Sequence, residues 1–296
     1  MTENSIFRGA ATALITPLTA DGIDYENFGR LIDWQIESGI DGLVICGTSG
    51  EGSTLSDKEH REALDFAIQR ADGRVPMIAG TGSNDIAYGI DLTKFACEIG
   101  YDAVLVVTPY YNKATQNGLI KSYMATADAS SKPCILYNVP SRTGVNIEPA
   151  TYDILADHPM IQGIKEANGN IAKIVETMSI VGDRLDLYSG NDDEIVPLLS
   201  VGGSGVISVL SNVFPKETSL MCKKFFEGDT KGALELQFKY FKLIKALFSE
   251  VNPIPVKAAM AAMGFCEDYL RLPLTPMEDA HKEVLLQCMR EQGLNV

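Results

Sequence analysis

Histidine, tryptophan and basic residues are all in short supply in this 296-residue chain, which has three His, one Trp and 25 Lys plus Arg against 39 Asp plus Glu. The six cysteines (Cys46, Cys97, Cys134, Cys222, Cys266, Cys288) form no CxxC pair, and His60, His158 and His281 are equally dispersed. Such spacing predicts reduced thiols, no disulfide framework and no metal site. The net charge of −14 gives a surface that repels phosphate backbones and anionic lipids, which argues against nucleic-acid or membrane partners. Any small anionic substrate must then be drawn in by a local positive group. Nowhere is there an uninterrupted apolar run of the ~18 residues that a membrane span needs. Met1–Gly9 has no basic stretch leading into an apolar one, so no signal peptide is expected and the chain is read as cytoplasmic. No glycine-rich nucleotide turn follows the first apolar run, which leads instead into Thr16-Pro17-Leu18.

What is present is alternation. Short apolar runs at Ala11–Ile15, Gly42–Cys46, Met77–Gly80, Ala103–Val107, Cys134–Tyr137, Ile161–Lys165, Leu185–Tyr188 and Gly205–Val209 read as parallel strands covered on both faces. Helical periods lie between them. Asp24–Ser38 spaces Phe28, Leu31, Ile32, Gln35 and Ile36 along one face. Ser56–Ala71 opens with Ser56 and carries Glu59 three residues on, a capping box, and Asn84–Ile99 stops at Gly100. Eight strand–helix units in roughly 230 residues fit a (β/α)₈ barrel, whereas an open doubly wound sheet normally has fewer strands. Beyond about Gly228 only helices are expected, at Lys231–Ser249, Ile254–Met263 and Met277–Gln292. The division is therefore a barrel over residues 1–228 and an all-helical extension over 229–296, packed on the barrel with no flexible linker.

In this fold, chemistry sits at the C-terminal ends of the strands. Lys165 closes the apolar run Met160–Ile164, so its amine should face the barrel mouth, where desolvation favours the uncharged nucleophile. The plain alternative is a lysine paired with Glu166. Tyr137 ends the preceding strand and is suited to moving protons at an adduct on Lys165, with Thr48 and Tyr111 as a hydroxyl relay. The turn Gly47–Glu51 offers backbone N–H groups to a small carboxylate but lacks the GK[ST] ending of a phosphate loop. Arg142, after a proline-set turn, is the local cation that the acidic composition calls for. On these residues alone the reading is a Schiff-base or proton-transfer enzyme on a barrel.

The strings Gly47-Thr48-Ser49-Gly50-Glu51, Tyr137-Asn138-Val139-Pro140-Ser141-Arg142-Thr143, Gly163-Ile164-Lys165-Glu166 and Asn252-Pro253-Ile254-Pro255-Val256-Lys257 together resemble the dihydrodipicolinate synthase family of class I pyruvate-dependent aldolases. The likeness runs in order from Phe7 to the C-terminal helices. It implies condensation of pyruvate with L-aspartate-4-semialdehyde, the entry to the diaminopimelate route to lysine, with no cofactor and no metal. Under it Lys165 forms the imine. Tyr137 moves protons through Thr48 to Tyr111, which in this family comes from the neighbouring subunit of a tight dimer, itself commonly half of a homotetramer. The pyruvate carboxylate would rest on Thr48–Ser49 with Ile207 and Gly190 at the pocket, and Arg142 would take the semialdehyde carboxylate.

Two departures from the family pattern stand out. Ser49 replaces a usual threonine and keeps the hydroxyl. At a lysine-binding cleft known in sensitive members, His60, Asn84 and Tyr110 match, but Tyr88 occupies the place of an acidic residue, and Gly52 and Asp57 also differ. Weak or absent inhibition by lysine is therefore expected. Two other readings compete: N-acetylneuraminate lyase or a related 2-keto-sugar-acid aldolase, which generally lacks the Asn-Val-Pro-x-Arg-Thr string, and a catalytically silent barrel that only binds pyruvate or an amino acid.

Overall fold

The computed structural model describes residues 5–296. Eight parallel strands, Gly9–Ala13, Gly42–Ile45, Met77–Gly80, Ala103–Val107, Cys134–Asn138, Ile161–Glu166, Asp186–Ser189 and Gly205–Ser208, close into a barrel in which the first pairs with both the second and the eighth. The chain is a (β/α)₈ barrel, and the open-sheet alternative is excluded by that closure. The seam depends on Gly205, where a Cβ would lie 1.9 Å from the carbonyl oxygen of Gly9.

Side chains alternate across each strand, as the two-residue period of extended backbone requires. Ala11, Ala13, Val44, Ile78, Ala103, Leu105, Ile135, Tyr137, Tyr188 and Ile207 fill the barrel. Their sequence neighbours, such as Leu43, Ile45, Leu136 and Ile164, pack outward against the helices. The helix Tyr25–Glu37 is capped by Asp24, and Asp57–Ala71 carries the full Ser56–Glu59 capping box.

Element ends differ from the sequence reading where a side chain or a helix end captures a backbone group. The first strand starts and stops two residues early, because the Ile15 N–H is taken by Asn212 Oδ1 at 3.1 Å. The seventh begins at Asp186, since the Leu185 N–H still bonds Val181 of the preceding helix. The eighth ends at Ser208, since the Val209 N–H turns to the Asp192 carboxylate at 2.9 Å. The third long helix starts at Ile86, not Asn84, because Asp85 is the residue whose side chain caps it.

After the helix Pro215–Phe226 come Thr230–Leu247, Ile254–Ala262 and Asp279–Glu291. Leu243, Ile244, Val256 and Leu285 from these helices join the same buried cluster as the outer faces of the strands. Gln237 locks the extension onto the barrel top, donating to Asp192 O at 2.8 Å and accepting from Val196 N at 3.2 Å. Among the described residues no helix is long and apolar enough to cross a membrane.

Candidate active site

Lys165 and Tyr137 face each other inside the top of the barrel. The register sets Tyr137, Lys165 and Tyr188 at one level on three adjacent strands, and Ile164 points outward, so Lys165 must point in. Its Nζ lies 4.2 Å from the centroid of the Tyr137 ring. Burial, the largest influence, holds the amine down to about 7; the Asp192 carboxylate works against this and the Arg142 charge adds to it. At neutral pH roughly half of the Lys165 side chains are free base, against roughly one in three thousand for an ordinary lysine. Gly190 makes room for the lysine stem: a Cβ there would sit 3.3 Å from Lys165 Cε and 2.8 Å from Ala167 Cβ.

Glu166 is not the partner of Lys165. It points to the other face of its strand, where both of its oxygens accept from Asn138 Nδ2 (2.9 and 3.1 Å) and one also accepts from the Asn168 N–H at 2.9 Å. Burial raises this carboxyl to about 7 even with those donors in place.

Thr48 and Tyr137 line the same cavity, with the Thr48 hydroxyl near enough to the phenol to act on its ionisation. Burial pushes the phenol above its ordinary value, while the Arg142 charge and the Thr48 hydroxyl partly offset that rise. Thr48 sits in a turn entered and left through left-handed residues, Cys46 at φ 56° and Glu51 at φ 54°. That conformation is uncommon outside glycine and persists where surrounding contacts over-determine it. Here they do. Thr16 Oγ1 donates to Gly50 O at 2.8 Å, and Lys257 Nζ donates to Thr16 O at 2.7 Å. The same ammonium lies 2.7 Å from Glu51 Oε1, with both side chains essentially inaccessible to solvent. Glu51 Oε2 accepts from the Arg271 N–H at 3.1 Å. Removing either member of such a pair leaves a buried charge alone, at a cost of about 3–5 kcal/mol.

Arg142 lies in the short helix Pro140–Thr143 after the fifth strand, and its Nη2 donates to Asn252 O at 2.9 Å. The Asn252 Nδ2 donates to Ser49 Oγ at 3.0 Å. Thr48, Tyr137 and Arg142 line one cavity of about 510 Å³, within the usual size of a small-molecule site. His60 and Tyr110 line it as well, with Asp57 and Tyr88; Asn84, Ser49, Gly190, Ile207 and Lys165 do not. Lys165 and Ile207 are buried among the barrel side chains behind Tyr137. Tyr111 is not brought into this cavity by its own chain: it is 91% exposed, in a left-handed conformation (φ 72°) beyond the fourth strand.

Reasoning from sequence missed three residues here. Asn252 and Lys257 come from the extension; the sequence marks them only as the ends of the string Asn252–Lys257 that shares in the family resemblance, with no role attached. Asp192 is buried with Oδ2 accepting from the Val209 and Leu210 N–H groups (2.9 and 2.8 Å), while its Oδ1 has no hydrogen-bond partner. It is the nearby negative charge that a protonated imine at Lys165 would feel.

Residues 6–292 match the model of the dihydrodipicolinate synthetase family. The 4-hydroxy-tetrahydrodipicolinate synthase of Lachnoclostridium phytofermentans is 53% identical over 292 residues, covering 98% of this chain and 99% of that one. Among solved structures, the chloride-inhibited dihydrodipicolinate synthase of Acinetobacter baumannii complexed with pyruvate superposes with a TM-score of 0.94 at 41% identity, over 97% of this chain and 99% of the other. The enzyme of Cyanidioschyzon merolae with lysine bound gives a TM-score of 0.95 at 36% identity, over 99% and 100% of the two chains.

Proposed function

The chain belongs to the dihydrodipicolinate synthetase family, and on that premise we propose how its own residues carry the 4-hydroxy-tetrahydrodipicolinate synthase reaction, a lyase chemistry that proceeds through a Schiff base. The substrates are pyruvate and L-aspartate-4-semialdehyde. The free amine of Lys165 attacks the ketone carbon of pyruvate. The carbinolamine loses water to give a protonated imine, loss of a proton from the pyruvate methyl gives an enamine, and that carbon attacks the aldehyde. Tyr137 gives and takes the protons through Thr48. The hydroxyl of Ser49 and the N–H groups of its turn hold the pyruvate carboxylate, with Ile207 and Gly190 shaping the space around it. Arg142 holds the semialdehyde carboxylate at the mouth. The observation that carries this reading is a buried Lys165 amine, held down to about 7 and so available as free base at neutral pH, 4.2 Å from the centroid of the Tyr137 ring. Incubation with pyruvate and borohydride should leave a reduced adduct on Lys165, and an unmodified mass would remove the aldolase assignment in favour of a mere pyruvate-binding barrel.

Exposure of Tyr111 supports a tight dimer in which the partner subunit's Tyr111 completes the hydroxyl relay, two such dimers making a homotetramer. The expected location is the cytoplasm.

Arg142 distinguishes this reaction from that of a sugar-acid aldolase. Arg142→Ala should raise the KM for L-aspartate-4-semialdehyde roughly 10- to 100-fold, the loss of one charge-assisted contact. The rate of borohydride trapping with pyruvate should change far less. A panel that includes N-acetylmannosamine checks this; faster turnover of the sugar than of the semialdehyde would reverse the assignment.

The lysine site is expected to be ineffective. His60 is buried and held neutral, its ring bonded to Gly80 O at 2.9 Å. Tyr88 lines the same cavity as Asp57, whose carboxylate accepts from Arg61 Nε at 2.9 Å. The local carboxylate is thus already neutralised by a guanidinium, and an incoming lysine ammonium gains little there. Steady-state rates should stay within about twofold of the uninhibited value at ~10 mM lysine, where an inhibition constant of ~1 mM, about 4 kcal/mol of binding, would lower them roughly tenfold. An inhibition constant in the low millimolar range or below refutes this.

A further inference from the structure

We propose that Asn252 is a positioning residue that sets the spacing between the two carboxylate-holding groups of the reaction, Ser49 and Arg142. The inference rests on the roles given to those two residues under the proposed function. Ser49 and Arg142 belong to loops after the second and fifth strands, so nothing local in the barrel ties one to the other. Asn252 does, from outside the barrel. It lies between the helices Thr230–Leu247 and Ile254–Ala262 and is only 5% exposed. Its side-chain Nδ2 donates to Ser49 Oγ at 3.0 Å, and its carbonyl accepts from Arg142 Nη2 at 2.9 Å.

The polarity of these two bonds favours binding over bracing alone. With Nδ2 donating to the Ser49 oxygen, the serine keeps its own proton for an anionic ligand; the opposite arrangement, Ser49 donating to Asn252 Oδ1, is the longer contact at 3.5 Å. Arg142 is steadied by a neutral carbonyl, and among the described residues no carboxylate pairs with it, although the chain holds 39 acidic residues. Its charge is thereby kept for a substrate. The anchoring segment is itself fixed, because Lys257, five residues on, is bound to Glu51 at the other end of the same turn and to Thr16, which holds Gly50 of that turn. One stretch of the extension therefore grips the Ser49 turn and Arg142 together.

The test is a kinetic comparison of Asn252→Ala and the near-isosteric Asn252→Asp, each checked by thermal melting and by borohydride trapping with pyruvate. Asn252→Ala removes the side-chain bond to Ser49 but keeps the backbone carbonyl that Arg142 uses, so it should raise the KM for pyruvate about 5- to 10-fold, the loss of one neutral hydrogen bond, and that for the semialdehyde by less, with kcat much less affected. Asn252→Asp, which puts a negative charge beside Ser49 and the carboxylate it holds, should raise the KM for pyruvate further while keeping the fold. Ser49→Ala should raise the KM for the semialdehyde as well as for pyruvate in the native background, but only that for pyruvate in the Asn252→Ala background, since the link is already cut. Unmoved KM values in both Asn252 variants, or a fall in kcat that tracks a lowered melting temperature, overturn the inference. Absence of any trapped adduct in the native enzyme would instead defeat the functional reading beneath it.

Discussion

In a Lys165→Arg variant, condensation should fall by on the order of 10⁵-fold, the low end of what a correctly held nucleophile contributes. The guanidinium stays protonated at every accessible pH and cannot form the imine. The native enzyme should show kcat/KM for pyruvate rising as pH climbs through about 7 and then levelling, because below that point Lys165 is an ammonium and above it a free amine. No descending limb from Tyr137 is expected below pH 10, as the phenol is pushed upward.

The same buried amine has a consequence for stability, and its sign is opposite to the common case of a paired lysine. Its folded value lies below the unfolded one, so between about 7 and 10.5 the unfolded chain binds the extra proton and stability rises with pH. Below that window both states are protonated and the folded state bears the whole burden of a buried charge. Lys165→Met should accordingly be inactive yet more stable than the native protein by a few kcal/mol at pH 7, with the difference shrinking toward pH 10. Chemical denaturation at three pH values measures it, and a less stable Lys165→Met at pH 7 would contradict the burial argument.

Tyr137→Phe carries the second large effect, a loss of about 10²- to 10⁴-fold in kcat, the range for removing a positioned proton-transfer group. The ring remains over Lys165, so desolvation of the amine is kept and the pH midpoint near 7 should stay in place. A coincident shift of that midpoint would mean that the tyrosine acts on Lys165 by packing and not by proton transfer. Thr48→Val, which removes the hydroxyl beside the Tyr137 phenol, should produce a smaller loss of the same kind.

Much of this was readable before any coordinates. The eight apolar runs, their helical intervals and the Ser56–Glu59 cap are local consequences of side-chain period and hydrogen bonding, which a linear string displays directly. Placing Lys165 and Tyr137 at strand ends followed from the same pattern, and the order of the quoted strings extended it to a family. What stayed hidden depends on residues distant in sequence. Glu51 and Lys257 are a buried pair 206 positions apart, and Asn252 meets Ser49 across 203.

The sequence by itself determined the barrel and the inward placement of Lys165 and Tyr137 at its top, because two-residue alternation along a strand decides which side chains face inward. Only the tertiary structure decided that Glu166 turns away from Lys165, that the Thr48 turn is held by a helix from the far end of the chain, and that Asp192 supplies the nearby charge. These outcomes are set by burial and long-range hydrogen bonding, and neither has a signature in the order of residues around any one of the groups involved.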